Sequence, residues 1–265
     1  MNLFTAALLG VIQGLTEFLP VSSTAHLLIA GELLHVKDPT FTIAIQFGSI
    51  LAVVWLYRRK LWSVLTQLPS SGGSAARQFA VMVVVAFLPA AVAGALLSKF
   101  IKAVLYNSQL AIPIAFIVGG IVMLIVERRR PKPTVVRADE TPLAKAFAIG
   151  CWQVLALVPG VSRSGATIVG GLMAGLERPA AAEFSFFLAI PTMAGAFAKD
   201  MWDVRHELTV QAGSEIAVGL IMAFVASVLV VGPFLKFVSR SGFAPFAWYR
   251  IAAGAALLGM VWMAR

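Results

Sequence analysis

Gln13-Gly14-Leu15-Thr16-Glu17-Phe18-Leu19-Pro20-Val21-Ser22-Ser23-Thr24-Ala25-His26 sits inside an otherwise apolar stretch that runs over residues 3–34. A helix that crosses a bilayer needs roughly 20 mainly apolar residues. The parts on either side of Leu19-Pro20-Val21-Ser22-Ser23-Thr24 are each too short for that. Proline removes a backbone donor, so the break reads as a loop between two short helices. Non-helical backbone at membrane depth persists only where it is buried in protein or lines a wet cavity. The stretch therefore predicts a re-entrant helix–loop–helix hairpin over 3–34. A second hairpin is predicted over 143–176, broken by Pro159-Gly160-Val161-Ser162-Arg163-Ser164-Gly165.

The two broken stretches read as copies. A shift of 140 residues places Gly10 on Gly150, Gln13 on Gln153, Val21-Ser22 on Val161-Ser162 and Gly31 on Gly171. The same shift carries Phe47 onto Phe187 and Ile50 onto Ile190. Six further segments have spanning character, at 41–57, 78–98, 109–127, 183–199, 215–236 and 246–263. The chain then divides into repeat 1 (about 1–127), an exposed linker (128–142) with prolines and charges, and repeat 2 (about 143–265). Each repeat holds one hairpin and three spans. An odd number of spans turns the second copy upside down. The expected fold is a single all-α polytopic membrane domain: six transmembrane helices plus two re-entrant hairpins in an inverted repeat. In such repeats the broken elements face each other near the midplane, where sites form.

Composition agrees with a bilayer as solvent. Of 265 residues 60% are apolar and 12% charged, and the mean hydropathy is +0.90. A soluble domain of this length cannot hide so much apolar surface. The net charge of +9 reads as Lys and Arg retained on the cytoplasmic side, with no nucleic-acid partner expected. The lone cysteine, Cys151, excludes an intramolecular disulfide. Met1 to Ala7 carry no Lys or Arg, which argues against a cleaved signal peptide.

Counting basic residues gives an orientation. The connections at 57–77, 127–145 and 236–244, with Arg178, hold most of them, among them Arg58, Arg59, Lys60, Arg128, Arg129 and Arg130. The other side holds Lys37, Lys99, Lys102, Lys199, Arg205 and Arg265. The richer side is expected in the cytoplasm. Both termini and the first hairpin then face outward, and the second hairpin enters from the cytoplasm.

Ionisable groups inside membrane segments are costly and usually functional. In the first hairpin these are Glu17 and His26, flanking Ser22, Ser23 and Thr24. Gln13 and Glu17 are four residues apart and share one helix face. In the second hairpin Arg163 sits between Ser162 and Ser164, with Thr167 one turn on. A helix N-terminus with an arginine whose fork fits phosphate oxygens makes phosphate the better guess than carboxylate. Taken singly, Ser22 and Ser162 read as helix caps and His26 reads equally as a satisfied core histidine, while a purely structural Glu17–Arg163 ion pair is the lesser alternative. Glu177 and Arg178 read as a solvated end, Glu183 as ambiguous, and Arg250 as either added positive charge or a snorkelling cation. Together, a carboxylate, a histidine, hydroxyls and an arginine on two opposed breaks compose a hydrolytic site. A transporter of phosphate-bearing lipids would use the same arginine and serines, but it has no need of a nucleophile beside a base.

The stretch from Gln13 to His26 and the stretch Pro159-Gly160-Val161-Ser162-Arg163-Ser164-Gly165-Ala166-Thr167 resemble the two signature motifs of the undecaprenyl-pyrophosphate phosphatase family, the bacitracin-resistance type. The resemblance covers essentially the whole chain. Two departures stand out: Ala25 where the family often has glycine, and Gln13 where it allows Glu or Gln, leaving Glu17 the sole carboxylate of the motif. The resemblance implies release of inorganic phosphate from undecaprenyl pyrophosphate, which regenerates the monophosphate carrier of cell-wall synthesis. It implies a divalent cation, magnesium or calcium, held by Glu17 with Gln13 in support. On its terms Ser23 is the nucleophile, with His26 as proton shuttle or alternative nucleophile and Glu17 as base or metal ligand. Arg163, Ser162, Ser164 and Thr167, with Ser22 and Thr24, would cradle the phosphate. The expected partners are the polyprenyl pyrophosphate lipid and the membrane, with a homodimer left open. The expected location is the bacterial inner membrane, with the site facing the periplasm.

Overall fold

The computed structural model describes residues 1–36, 38–70, 72–105, 108–204 and 213–263. Of the residues used above for orientation, Lys37, Arg205 and Arg265 lie outside them, as do the side chains of Lys99 and Lys102. Among the described residues the only extended pairing is an isolated bridge between Val135 and Leu176. The N-terminal half forms α1 (Leu3–Thr16), α2 (Ser23–Leu33), α3 (Pro39–Leu56), α4 (Arg58–Gln67), α5 (Ser74–Val104) and α6 (Ala111–Arg129). The C-terminal half forms α7 (Leu143–Val154), α8 (Arg163–Met173), α9 (Arg178–Val204), α10 (Gly213–Ser241) and α11 (Ala244–Met263).

Among the described residues, five helices (α5, α6, α9, α10 and α11) are long and apolar enough to cross a membrane. A sixth span results if α3 and α4, bent by 71° at their junction, count as one. The chain is an all-helical polytopic membrane protein. Its lipid-facing surface follows helical spacing: Val81, Val84, Leu88 and Val92 on α5, and Ile114, Val118, Ile121 and Ile125 on α6, are all exposed. α1 and α7 are apolar but too short to cross. α2 and α8 have only 11 residues each.

Local chemistry sets the helix starts. The Asn2 side chain accepts the Thr5 N–H at 2.8 Å, and Asp38 accepts the Phe41 N–H at 3.0 Å with Pro39 in the first turn. Ser162 caps α8 by accepting the Gly165 N–H at 3.0 Å. Its counterpart Ser22 does not cap α2. It adopts φ +68°, a left-handed conformation costly for a residue with a Cβ, and its hydroxyl makes no cap bond.

Packing places both breaks at the centre. α1 lies against α10, α7 against α5, α3 against α9 and α6 against α11. Two of these crossings depend on glycine. A Cβ on Gly10 would stand 2.3 Å from the Gly219 carbonyl oxygen, and one on Gly150 2.2 Å from that of Ala86. Membrane helices pack closely through such small residues, since lipid supplies no hydrophobic drive for their association. Gly10 and Gly150, 140 residues apart in the chain, thus do the same work at two crossings. Of the long helices α9 is the most enclosed, with half of its apolar window buried against 17% for α5 and α11. Phe184, Phe186 and Phe187 on it are buried, and Phe18 from the first break meets Phe186 edge to face at 5.3 Å.

Most of the linker is exposed, though it is pinned at three points, and the expectation for Arg178 is corrected. The linker is stitched to the body: Val135, Ala138 and Thr141 are buried. The N–H groups of Thr134 and Val135 donate to the Gly175 carbonyl, and Glu177 N–H donates to that of Val135. The linker finds backbone partners in the turn after α8, which charge and proline content do not reveal. Arg178 is not a solvated end. It pairs with Glu127, a largely enclosed carboxylate at the end of α6, beside Gly242 at φ +66°.

Candidate active site

Glu17 is the C-cap residue of α1, and its carboxylate gathers three side chains. Oε2 accepts the Ser23 hydroxyl at 2.5 Å and Gln13 Nε2 at 2.8 Å. Oε1 accepts Nη2 of Arg163 at 2.8 Å. Ser23 opens α2 and Arg163 opens α8, so one carboxylate ties together the starts of the two inner helices. All four side chains are buried or nearly so, with Gln13 fully enclosed and Glu17 8% exposed. A charge pair so far from water persists only with extra hydrogen bonds. Arg163 finds them at the Ser185 carbonyl (3.1 Å) and at Met193 Sδ (3.1 Å), and its Nε has no partner among the described residues.

The serines flanking Arg163 bind the two loops to each other. Ser164 Oγ donates to the Leu19 carbonyl in the first break at 2.8 Å. A hydroxyl has one proton, so the 2.9 Å contact between Ser162 and Ser164 has Ser162 as donor. Thr167 turns back into the helix, close to the carbonyls of Arg163 (2.9 Å) and Ser164 (3.1 Å) and to Ser185 Oγ (2.7 Å). Its hydroxyl serves to fix α8 against α9.

His26 is held at both ring nitrogens. Nδ1 faces the Ser22 carbonyl at 2.8 Å, and Nε2 faces the Tyr249 hydroxyl at 2.5 Å. A carbonyl only accepts, so Nδ1 carries a proton and the neutral ring takes the Tyr249 proton at Nε2. Tyr249 also stacks on the imidazole, with centroids 5.7 Å apart. The ring's partners are thus Ser22 and Tyr249, while the Ser23 hydroxyl belongs to Glu17. Thr24 is half-buried and joins none of these bonds among the described residues. Ala25 lies fully buried inside α2 rather than in the loop, so its methyl is packed and the loop backbone is untouched.

Arg250 on α11 is 2% exposed and does not snorkel. It donates to the carbonyls of Pro20 (3.3 Å) in the first break, Gly160 (3.1 Å) in the second and Ala115 (3.0 Å) on α6. Gly119 makes room for it: a Cβ there would stand 2.4 Å from Nη2. Ser185, Met193 and Tyr249 join the site without any signal in the sequence, since a serine, a methionine and a tyrosine in apolar helices are unremarkable. Arg250 had one, a cation inside a span.

Among the described residues no group of three or more His, Cys, Asp or Glu side chains could close round a metal ion. The donors at Glu17 nevertheless fit a hard cation. Beside its carboxylate lies the Ser23 hydroxyl, and the Gln13 amide that bonds to that carboxylate carries a buried Oε1 with no partner among the described residues. Magnesium is commonly held by one or two carboxylates, with waters and substrate phosphate oxygens completing the shell.

Residues 6–256 match the family model described as bacitracin resistance protein BacA. The chain is 51% identical to undecaprenyl-diphosphatase 1 of Agrobacterium fabrum, over 98% of this chain and 96% of that one. It is 53% identical to the undecaprenyl-diphosphatase of Cereibacter sphaeroides, over 96% of this chain and 94% of the relative. With that of Rhizorhabdus wittichii it shares 49%, over 99% and 98% of the two chains. With its two signature stretches joined at Glu17 and near-complete coverage on both sides, the chain belongs to the bacitracin resistance protein BacA family.

Proposed function

We propose that the chain hydrolyses undecaprenyl diphosphate to undecaprenyl phosphate and inorganic phosphate, with the reaction carried by Glu17, Ser23 and Arg163. The observation that supports these roles is the 2.5 Å bond from Ser23 to Glu17, with Arg163 on the other oxygen of the same carboxylate. Glu17 takes the Ser23 proton as Oγ attacks the terminal phosphorus. The anhydride bond breaks and undecaprenyl phosphate leaves. Water then attacks the phosphoserine phosphorus, Glu17 returns its proton to the departing Ser23 Oγ, and inorganic phosphate is released. Arg163, drawn from Glu17 onto the phosphate, balances the charge that spreads over its equatorial oxygens. His26, oriented by Tyr249 and the Ser22 carbonyl, is placed on α2 one turn beyond Ser23 to relay protons. A magnesium or calcium ion at Glu17 and Gln13 would supply Lewis-acid polarisation of the phosphate oxygens. Lipid transport alone gives no reason for the serine to be bonded to a carboxylate.

The architecture that suits this reading has six spans and two re-entrant hairpins in an inverted repeat. The paired crossings of α1 on α10 and α7 on α5, each at a matched glycine, support it. The basic connections support a cytoplasmic α3–α4 bend and linker in the bacterial inner membrane, with the first hairpin open to the periplasm. The experiment is phosphate release from undecaprenyl diphosphate by the purified protein, with chelator and with restored magnesium or calcium. Arg163→Ala should fold and lose turnover. Full activity in that variant removes the arginine from the mechanism, and full activity in chelator removes the cation.

A further inference from the structure

Beside the reacting cluster runs a cavity of about 250 Å³ between α6, α7 and α8. Its walls are apolar and include Val118, Val122, Trp152, Leu155 and Val169. Val118 and Leu155 are exposed on the lipid-facing side, whereas Val169 is buried, so the cavity is a groove entered from the bilayer. Its polar lining is Ser162 and Arg250, 3% and 2% exposed. The groove therefore ends on a buried cation. No carboxylate pairs with Arg250 among the described residues, and its Nε has no partner. Three carbonyls soften that charge without cancelling it, and a buried cation left in this state favours an anion beside it.

We propose that this groove receives the first isoprene units of the substrate, and that Arg250 with Ser162 holds the lipid-linked phosphate, the one kept in the product. The assignment rests on the phosphatase reading and adds a second anion subsite to it. Ser162 and Arg163 are neighbours at the start of α8, so the groove head and the terminal-phosphate clamp flank one helix start. An amphiphile with an anionic head and a single apolar chain matches a groove that is polar at its buried end and open to lipid at the other. Its volume suits only the beginning of a long polyprenyl chain, and the remainder stays in the bilayer.

The test uses the intact protein in detergent and farnesyl diphosphate bearing a benzophenone at the end of its tail. Photolabelling should fall on peptides of α6, α7 and α8 that line the groove, and undecaprenyl phosphate should suppress it. Label on other helices overturns the assignment. Suppression by membrane phospholipid as strong as that by undecaprenyl phosphate overturns it too, since the groove would then be a general lipid site. Val122→Trp, which fills the groove, should raise KM for farnesyl diphosphate about tenfold or more while kcat stays within about twofold. A fall in kcat with KM unchanged contradicts a tail-binding role. Wild-type protein that labels in the groove but releases no phosphate would defeat the hydrolase reading and leave the prenyl groove standing.

Discussion

Ser23 and Arg163 grip the two oxygens of one carboxylate, Glu17, from helices that start 140 residues apart in the chain. They also match under the 140-residue shift, each directly after a Val-Ser pair. At these matched positions one stretch presents a hydroxyl and the other a guanidinium. Glu17 itself has an apolar counterpart, Leu157, so the site has one acid and one clamp rather than two of each.

Glu17→Gln keeps the shape and removes the base. A positioned general base contributes about 100- to 10,000-fold, so phosphate release should fall by that order. The same change leaves Arg163 without its anion, and a lowered Tm in detergent should accompany the loss. Retention of more than about a third of wild-type kcat would exclude Glu17 as base.

Tyr249→Phe preserves the stacking on His26 and deletes its bond to Nε2. The ring then has one tether, at the Ser22 carbonyl. kcat should fall on the order of tenfold with KM unaltered, as expected when a group acts on the transition state and not on binding. Steady-state kinetics on the purified variant decide this.

Gly150→Leu forces α7 away from α5, because even a Cβ there would stand 2.2 Å from the Ala86 carbonyl oxygen. Overpacking of this kind costs on the order of 1–3 kcal/mol or more. The thermal midpoint should drop, and Gly10→Leu should do the same at the α1–α10 crossing. Substitution at Gly232, where nothing lies within 4 Å, is the control expected to be silent.

Asp139 in the linker bonds to Arg137 and to Lys60 at the start of α4, and the Arg137 hydrogen bond leads in holding its carboxyl down at about 2. The folded value lies below the ordinary one of 3.8, so the stabilisation is complete above about pH 4. It is lost as the pH falls from there through 2. Asp139→Asn should lower the thermal midpoint near neutrality and flatten its acid decline between those limits. Melting curves across that range make the comparison.

Much of this was legible in the sequence because the bilayer imposes simple rules. An apolar run of given length must be helical, and a run broken by Pro20 or Pro159 must put its loop where protein can satisfy it. Gln13, Glu17, Ser23, His26, Ser162, Arg163 and Ser164 were legible for the same reason: polar groups at membrane depth are too costly to carry without use. The pinning of the linker at Val135 was not, because its backbone partners at Gly175 and Glu177 lie far along the chain.

Sequence alone determined the helical membrane class, the two breaks and the family, because each depends on composition and order along the chain. Only the tertiary structure decided which side chains meet. It gave Ser23 to Glu17 rather than to His26, and it gave His26 to Tyr249. It turned Thr167 inward and buried Arg250 between the two loops. Those choices depend on crossings such as α1 with α10 and α6 with α11, where packing of residues distant in sequence fixes distances that no local pattern encodes.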